Sequence, residues 1–305
     1  MHTLSGIYAP LTTPFGDDGG VDLDHLRQNL DQYATAPLAG YVMLGSTGEA
    51  VLLDREEKLA VLRAAAAGAA GSGRLLIAGT GEESLQATLA MTRAAADLGY
   101  ALALVRTPHY YKRAMTAAAL RRFYLELAEL SPIPLLIYNF PQLTGVDLEV
   151  ETAAELAAHP RIAGIKESSG SLEKIERLLA LAEPPGARQF AVLPGNAATL
   201  QAALAVGVEA AILALADGAP EICAAIWQAA RAAPAQARRL QAAALPLALA
   251  CSQGGVAAIK RLMDWHGYFG GRPRPPLLPL DAGQQTSLRA AFERAMAALA
   301  LPASA

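Results

Sequence analysis

Cysteine is almost missing from this chain. Only Cys223 and Cys251 occur in 305 residues, far apart and each in apolar, helix-like surroundings, which excludes a disulfide framework and reads as two buried thiols. Histidine is sparse too, with five residues. His2, His25, His109, His159 and His266 form no i, i+3 or i, i+4 pair, so nothing points to a dedicated metal site. Charged residues make up 17% of the chain against 53% hydrophobic, with a net charge of −3. That balance excludes disorder, and the scattered arginines give no footprint for nucleic acid. Long apolar runs are also lacking: Leu200 to Leu215 is cut by Glu209, and the stretch around Leu245 holds Pro246 and is followed by Ser252 and Gln253, so no segment is expected to span a bilayer. Met1 to Thr13 has no basic start followed by an apolar block, as a signal peptide would. These absences lead to the expectation of a cytoplasmic protein that acts on a small molecule, with no metal, nucleic-acid or membrane partner.

What is present is an alternation. From Gly6 onward, short apolar runs ending in Gly, Pro, Ser or Thr alternate with longer segments of helical period, the pattern of repeated βα units. Strands are expected at Ile7 to Thr12, Tyr41 to Leu44, Leu75 to Ala78, Leu102 to Val105, Leu135 to Tyr138, Ile162 to Lys166, Phe190 to Leu193 and Ala210 to Leu213. Eight such units predict an α/β fold, a (β/α)₈ TIM barrel whose site lies on the loops at the strand C-termini. An open doubly wound sheet is the other possibility, but no dinucleotide fingerprint is present: Gly79 and Gly81 lack the third glycine. Beyond the eighth strand the pattern is helical only, with helices expected at Ala219 to Ala232, Ala235 to Ala250, Val256 to Tyr268 and Gly283 to Leu301, and a proline-rich connector from Arg272 to Leu280. The expected division is a barrel core over 1–218, then the last barrel helix and a C-terminal helical extension over 219–305.

Lys166 closes a buried-looking strand, Ile162-Ala163-Gly164-Ile165-Lys166. A buried ammonium is costly, so this lysine should be paired with an acid such as Glu167, reach solvent along its stem, or be held neutral in a pocket. The last option is chemically useful, because a neutral amine attacks a carbonyl to form a Schiff base. In a barrel, other polar groups collect at the same end. The second strand delivers Gly45-Ser46-Thr47-Gly48-Glu49, which fits either a tight turn or an anion-binding loop of backbone N–H groups and hydroxyls. The fourth delivers Tyr110 and Tyr111, and the fifth delivers Tyr138. A lysine, phenols and a hydroxyl pair at one mouth suit imine chemistry on a keto acid.

With those motifs in this order, Gly45-Ser46-Thr47-Gly48-Glu49, Tyr138-Asn139-x-Pro141, Thr144-Gly145 and Gly164-Ile165-Lys166-Glu167, the chain resembles the pyruvate-dependent class I lyases. That family includes dihydrodipicolinate synthase, N-acetylneuraminate lyase, 2-keto-3-deoxy-sugar-acid aldolases and 4-hydroxy-2-oxoglutarate aldolase. The resemblance runs from about Gly6 to Leu280. It implies Lys166 as the Schiff-base lysine, Tyr138 as the proton-relaying phenol, and Ser46 and Thr47 as holders of the pyruvate carboxylate, with Thr47 also linking the tyrosines. Tyr110, or Tyr111 beside it, matches a further relay tyrosine that can cross a subunit boundary. Ile212 matches a position whose backbone faces the ligand. No cofactor is implied, and a homo-oligomer, tetramer or dimer, is.

Two departures bear on substrate. Where dihydrodipicolinate synthases generally carry an arginine before Thr-Gly, this chain has Leu143, which disfavours condensation with aspartate semialdehyde. Where neuraminate lyases present acids, Gly195 and Asn196 offer one amide. The resemblance is therefore taken as nearest to 4-hydroxy-2-oxoglutarate and sugar-acid aldolases, with pyruvate and an aldehyde as partners. Dihydrodipicolinate synthase, a keto-deoxy-acid dehydratase, N-acetylneuraminate lyase and a non-catalytic keto-acid-binding barrel are the alternatives.

Overall fold

Pro10 decides where the first strand stops. Without an N–H it cannot extend a ladder, and β1 (Gly6–Ala9) ends one residue before it, short of the Thr12 expected from hydropathy. The computed structural model describes residues 3–181 and 190–300. In it follow β2 (Gly40–Met43), β3 (Leu75–Gly79), β4 (Leu102–Arg106), β5 (Leu135–Asn139), β6 (Ile162–Glu167), β7 (Ala191–Pro194) and β8 (Ala210–Ile212). The seven later strands each begin and end within a residue of expectation. Hydrogen-bonded neighbours are all parallel, in the order β7-β6-β5-β4-β3-β2-β1-β8. β7 and β8 lie in contact and bring the sheet round into a (β/α)₈ barrel.

Both faces of such strands are buried, hence their continuous apolar runs. Inward-facing Tyr8, Val42, Ile77, Leu104, Leu136, Leu193 and Ile212 fill the barrel together with Tyr138. Two larger clusters fill the layer between strands and helices. The helices after β1 to β7 are α1 (Leu23–Tyr33), α2 (Arg55–Gly68), α3 (Leu85–Asp97), α4 (Ala117–Leu130), α5 (Val150–Ala157), α6 (Leu172–Ala180) and α7 (Leu200–Ala205). Asp22, Asp54, Ser84, Thr116 and Ser171 cap the first amides of five of them, which fixes where each loop ends.

α8 (Pro220–Ala232) follows β8, and α9 (Pro234–Trp265) and α10 (Ala282–Ala300) complete the chain. The expected end of the last helix, Leu301, lies outside the described residues. α9 runs through Pro246 and breaks at Gly255, where φ is 57°. By length and composition it is apolar enough to cross a membrane, which reading the sequence as shorter runs did not anticipate. Here it packs against α8 and α10, burying Ala237, Leu240, Ala244, Leu247, Ala248 and Cys251. Cys223 and Cys251 are both free and buried.

Candidate active site

Adjacent strands β5 and β6 place Tyr138 directly opposite Lys166. Side chains alternate along a strand, so Lys166 and Glu167 point to opposite faces. Lys166 is 4% exposed, and its Nζ lies 4.3 Å from the centroid of the Tyr138 ring. Glu167 turns away. Its carboxylate accepts Asn139 Nδ2 at 2.8 Å and Ser169 N at 2.6 Å and faces Lys174 at 3.5 Å. The neighbouring acid that offered the simplest partner for Lys166 is thus committed elsewhere.

The turn after β2 is bracketed by two non-glycine residues in left-handed conformation, Leu44 (φ 58°) and Glu49 (φ 53°). Such geometry persists only where surroundings impose it. Between them the chain folds tightly, with Glu49 N donating to Ser46 O at 3.1 Å and Thr13 Oγ1 donating to Gly48 O at 2.7 Å. Ser46 Oγ lies 3.2 Å from Tyr138 OH, either able to donate. The hydroxyl that reaches Tyr138 is therefore that of Ser46, while Thr47, the expected link to the tyrosines, is buried beside it.

β7 supplies the wall. A Cβ at Gly195 would stand 1.8 Å from Ser168 Oγ and 3.2 Å from Lys166 Cε, so only glycine leaves room beside the lysine. Asn196 is turned to its own backbone, accepting Ala198 N at 2.9 Å. Ile212 is fully buried at the end of β8. Leu143, on the helical turn Pro141–Thr144, is 61% exposed at the rim. Tyr110 and Tyr111 are 76% and 72% exposed, stacked edge to face on each other. Within this chain, then, Lys166, Tyr138, Ser46 and Gly195 come together, Thr47 follows Ser46 in the turn, and Tyr110 stands apart.

Residues 3–295 match the model of the dihydrodipicolinate synthetase family. The chain belongs to the dihydrodipicolinate synthetase family. It is 38% identical over 289 residues to a 4-hydroxy-tetrahydrodipicolinate synthase of Xanthomonas axonopodis pv. citri, covering 93% of this chain and 92% of the relative. To a probable mitochondrial 4-hydroxy-2-oxoglutarate aldolase of Emericella nidulans it is 31% identical over 298 residues, covering 96% and 95%. Among solved structures, a prophage protein of the dihydrodipicolinic acid synthase family from E. coli K12, in complex with pyruvate, superposes with a TM-score of 0.88 at 26% identity, covering 96% and 98%. The family is one of class I, pyruvate-dependent lyases.

Two residues of this family barrel escaped the sequence reading. Ser168 lies two positions after Lys166, hence on the same face, and its buried Oγ has no hydrogen-bond partner among the described residues. Strand alternation alone could have found it. Asp217, on the helical turn Leu215–Gly218 after β8, is completely buried, with the backbone N–H of Thr12 turned toward its carboxyl. Burial pushes its pKa well above the usual carboxylate range, and the positive charge of Lys166 pulls the other way. Its only signal in the sequence is an acid set among Leu215, Ala216 and Gly218.

Proposed function

We propose that this chain is a Schiff-base aldolase that cleaves or forms a 4-hydroxy-2-keto acid with pyruvate as the enamine partner. The observation that carries this reading is the enclosed Lys166 amine against the Tyr138 ring, with Tyr138 OH within reach of Ser46. In cleavage, the unprotonated amine of Lys166 adds to the C2 carbonyl, and loss of water leaves an iminium. Tyr138 removes the proton from the C4 hydroxyl, the C3–C4 bond breaks, and its electron pair enters the iminium to give an enamine while an aldehyde departs. Tyr138 returns a proton to C3, and water releases pyruvate. Ser46 holds the phenol in line, and the turn from Gly45 to Gly48 receives the substrate carboxylate on its backbone N–H groups. A substrate that fits this rim is small and lightly hydroxylated, such as 4-hydroxy-2-oxoglutarate or a 2-keto-3-deoxy sugar acid.

A second reading, 4-hydroxy-tetrahydrodipicolinate synthesis, is favoured by the relatives of that name. Both begin from the same pyruvate imine; with aspartate semialdehyde the adduct's own amine displaces the lysine and closes a ring, where the aldolase imine is released by water.

Incubation with pyruvate and borohydride, then peptide mapping by mass spectrometry, tests the common step. A pyruvyl adduct on Lys166 is expected, and Lys166→Ala should lose at least about 10³-fold in turnover while keeping its fold. Near-normal activity in that variant would sink the mechanism. Glyoxylate and aspartate semialdehyde, offered separately, then discriminate the two readings.

A further inference from the structure

Glu49 ends the hydroxyl turn, yet its side chain leaves the site. It runs into the interior, where Lys260 of α9 meets it with Nζ 2.7 Å from Oε1, both side chains completely buried. The other oxygen, Oε2, accepts the backbone N–H of Arg274 at 2.7 Å. The ammonium spends its protons on two backbone carbonyls, Thr13 O and Arg272 O, each at 2.9 Å. Thr13 is the residue whose hydroxyl holds Gly48 O. Arg274 in turn grips both oxygens of Glu57 on α2, at 2.7 and 2.6 Å, and both it and Lys260 lie over the ring of Phe15.

A fully buried ion pair is a poor source of stability, since desolvating two charges offsets most of their attraction. Burial drags the Lys260 pKa down, and Glu49 draws it back up. What the pair does supply is direction. One carboxylate, a residue in left-handed conformation, is fastened at both oxygens to the C-terminal extension, and the lysine that fastens it also fixes the carbonyl of Thr13, on the other side of the turn.

We propose that Glu49 and Lys260 are positioning residues that hold the Ser46–Thr47 turn in its anion-binding form, so that the C-terminal extension sets the keto-acid carboxylate subsite. This rests on the reading of that turn as the carboxylate holder and extends it to residues outside the barrel mouth. The pair touches neither lysine amine nor phenol, so its loss weakens carboxylate capture and spares the amine.

The test is borohydride trapping as a function of pyruvate concentration, with methyl pyruvate as a probe whose carboxylate is masked. Lys260→Met strands the Glu49 charge, so the neutral pair Glu49→Gln with Lys260→Met is made beside it, and folding of each is followed by circular dichroism. Half-saturating pyruvate is expected to rise about ten- to a hundredfold, with trapping at saturation within about twofold of wild type and methyl pyruvate trapping unchanged. Unchanged half-saturation in a folded variant overturns the proposal. So does an equal loss with methyl pyruvate, or failure of both variants to fold, since either makes the pair merely structural. Wild type that traps neither keto compound would remove the aldolase reading itself, and this inference with it.

Discussion

Tyr138 stands where the products of two strands meet: Lys166 from β6 lies over its ring and Ser46 from the turn after β2 faces its hydroxyl. Removing only that hydroxyl separates proton transfer from imine formation. Tyr138→Phe is expected to lower kcat about 10²- to 10⁴-fold while borohydride still traps pyruvate on Lys166, measured by steady-state kinetics beside mass spectrometry. Asp217 makes a different prediction. Its native pKa is raised by burial, so between about pH 4, where the unfolded carboxyl ionises, and that higher value the native state holds a proton the unfolded state has lost. Stability then declines as pH rises through this window and is unaffected below it. Asp217→Asn cannot ionise, so its melting temperature relative to wild type should climb from pH 4 to pH 8; a constant difference would mean the carboxyl is not buried in neutral form. Lys166 was legible from its sequence because a charge at the end of an apolar strand demands an explanation. Asp217 was not, because nothing in Leu215-Ala216-Asp217-Gly218 says that the turn folds inward, and Glu49 could be read as part of a motif but not as half of a pair with a residue 211 positions away.

Elements were easier to read than contacts. The seven later strands are short apolar runs that hydropathy records directly, whereas β1 stops before Pro10, inside an apolar run that continues to Thr12. The break in α9 was legible at Gly254 and Gly255 because glycine reaches the positive φ found there. The helix expected over Ala235 to Ala250 likewise runs through Pro246, and the structure keeps that proline inside it. At α2 the start signal is Asp54, whose side chain accepts Glu57 N at 2.9 Å while Glu57 returns a bond to Asp54 N at 3.0 Å. Asp54→Ala should cost about 1 kcal/mol of stability by chemical denaturation, with the imine still formed. Because Glu57 also carries Arg274, a much larger loss would show that the box and the extension are coupled.

At the scale of the whole molecule, the loops at the strand C-termini leave large apolar side chains in water: Tyr110, Tyr111, Leu143 and Val51 are each more than half exposed. Aromatic pairs are seldom left so. A homo-oligomer that covers Tyr110 and Tyr111 is therefore expected, and light scattering should give a mass of at least a dimer that falls toward the monomer in the Tyr110→Glu, Tyr111→Glu double variant. A wild-type monomer would refute it. From the residues alone this surface was legible only as a pair of adjacent tyrosines, because which face of a barrel meets another copy is not written in hydropathy; the subunit boundary at Tyr110 came from the family resemblance.

The contact between Thr13 and Lys260 spans 247 positions. Synthesis runs from one end, so all eight strands leave the ribosome before Lys260 and Arg274 do. At about 5–20 residues per second, the roughly sixty residues between the end of β8 and Arg274 take some seconds to follow. During that interval Glu49 has neither its ammonium nor its amide, and a nascent barrel would have to bury a bare carboxylate at the neck of its own site. The turn at Glu49 therefore gains its partners late, when a segment made after all eight strands reaches back to one made before most of them.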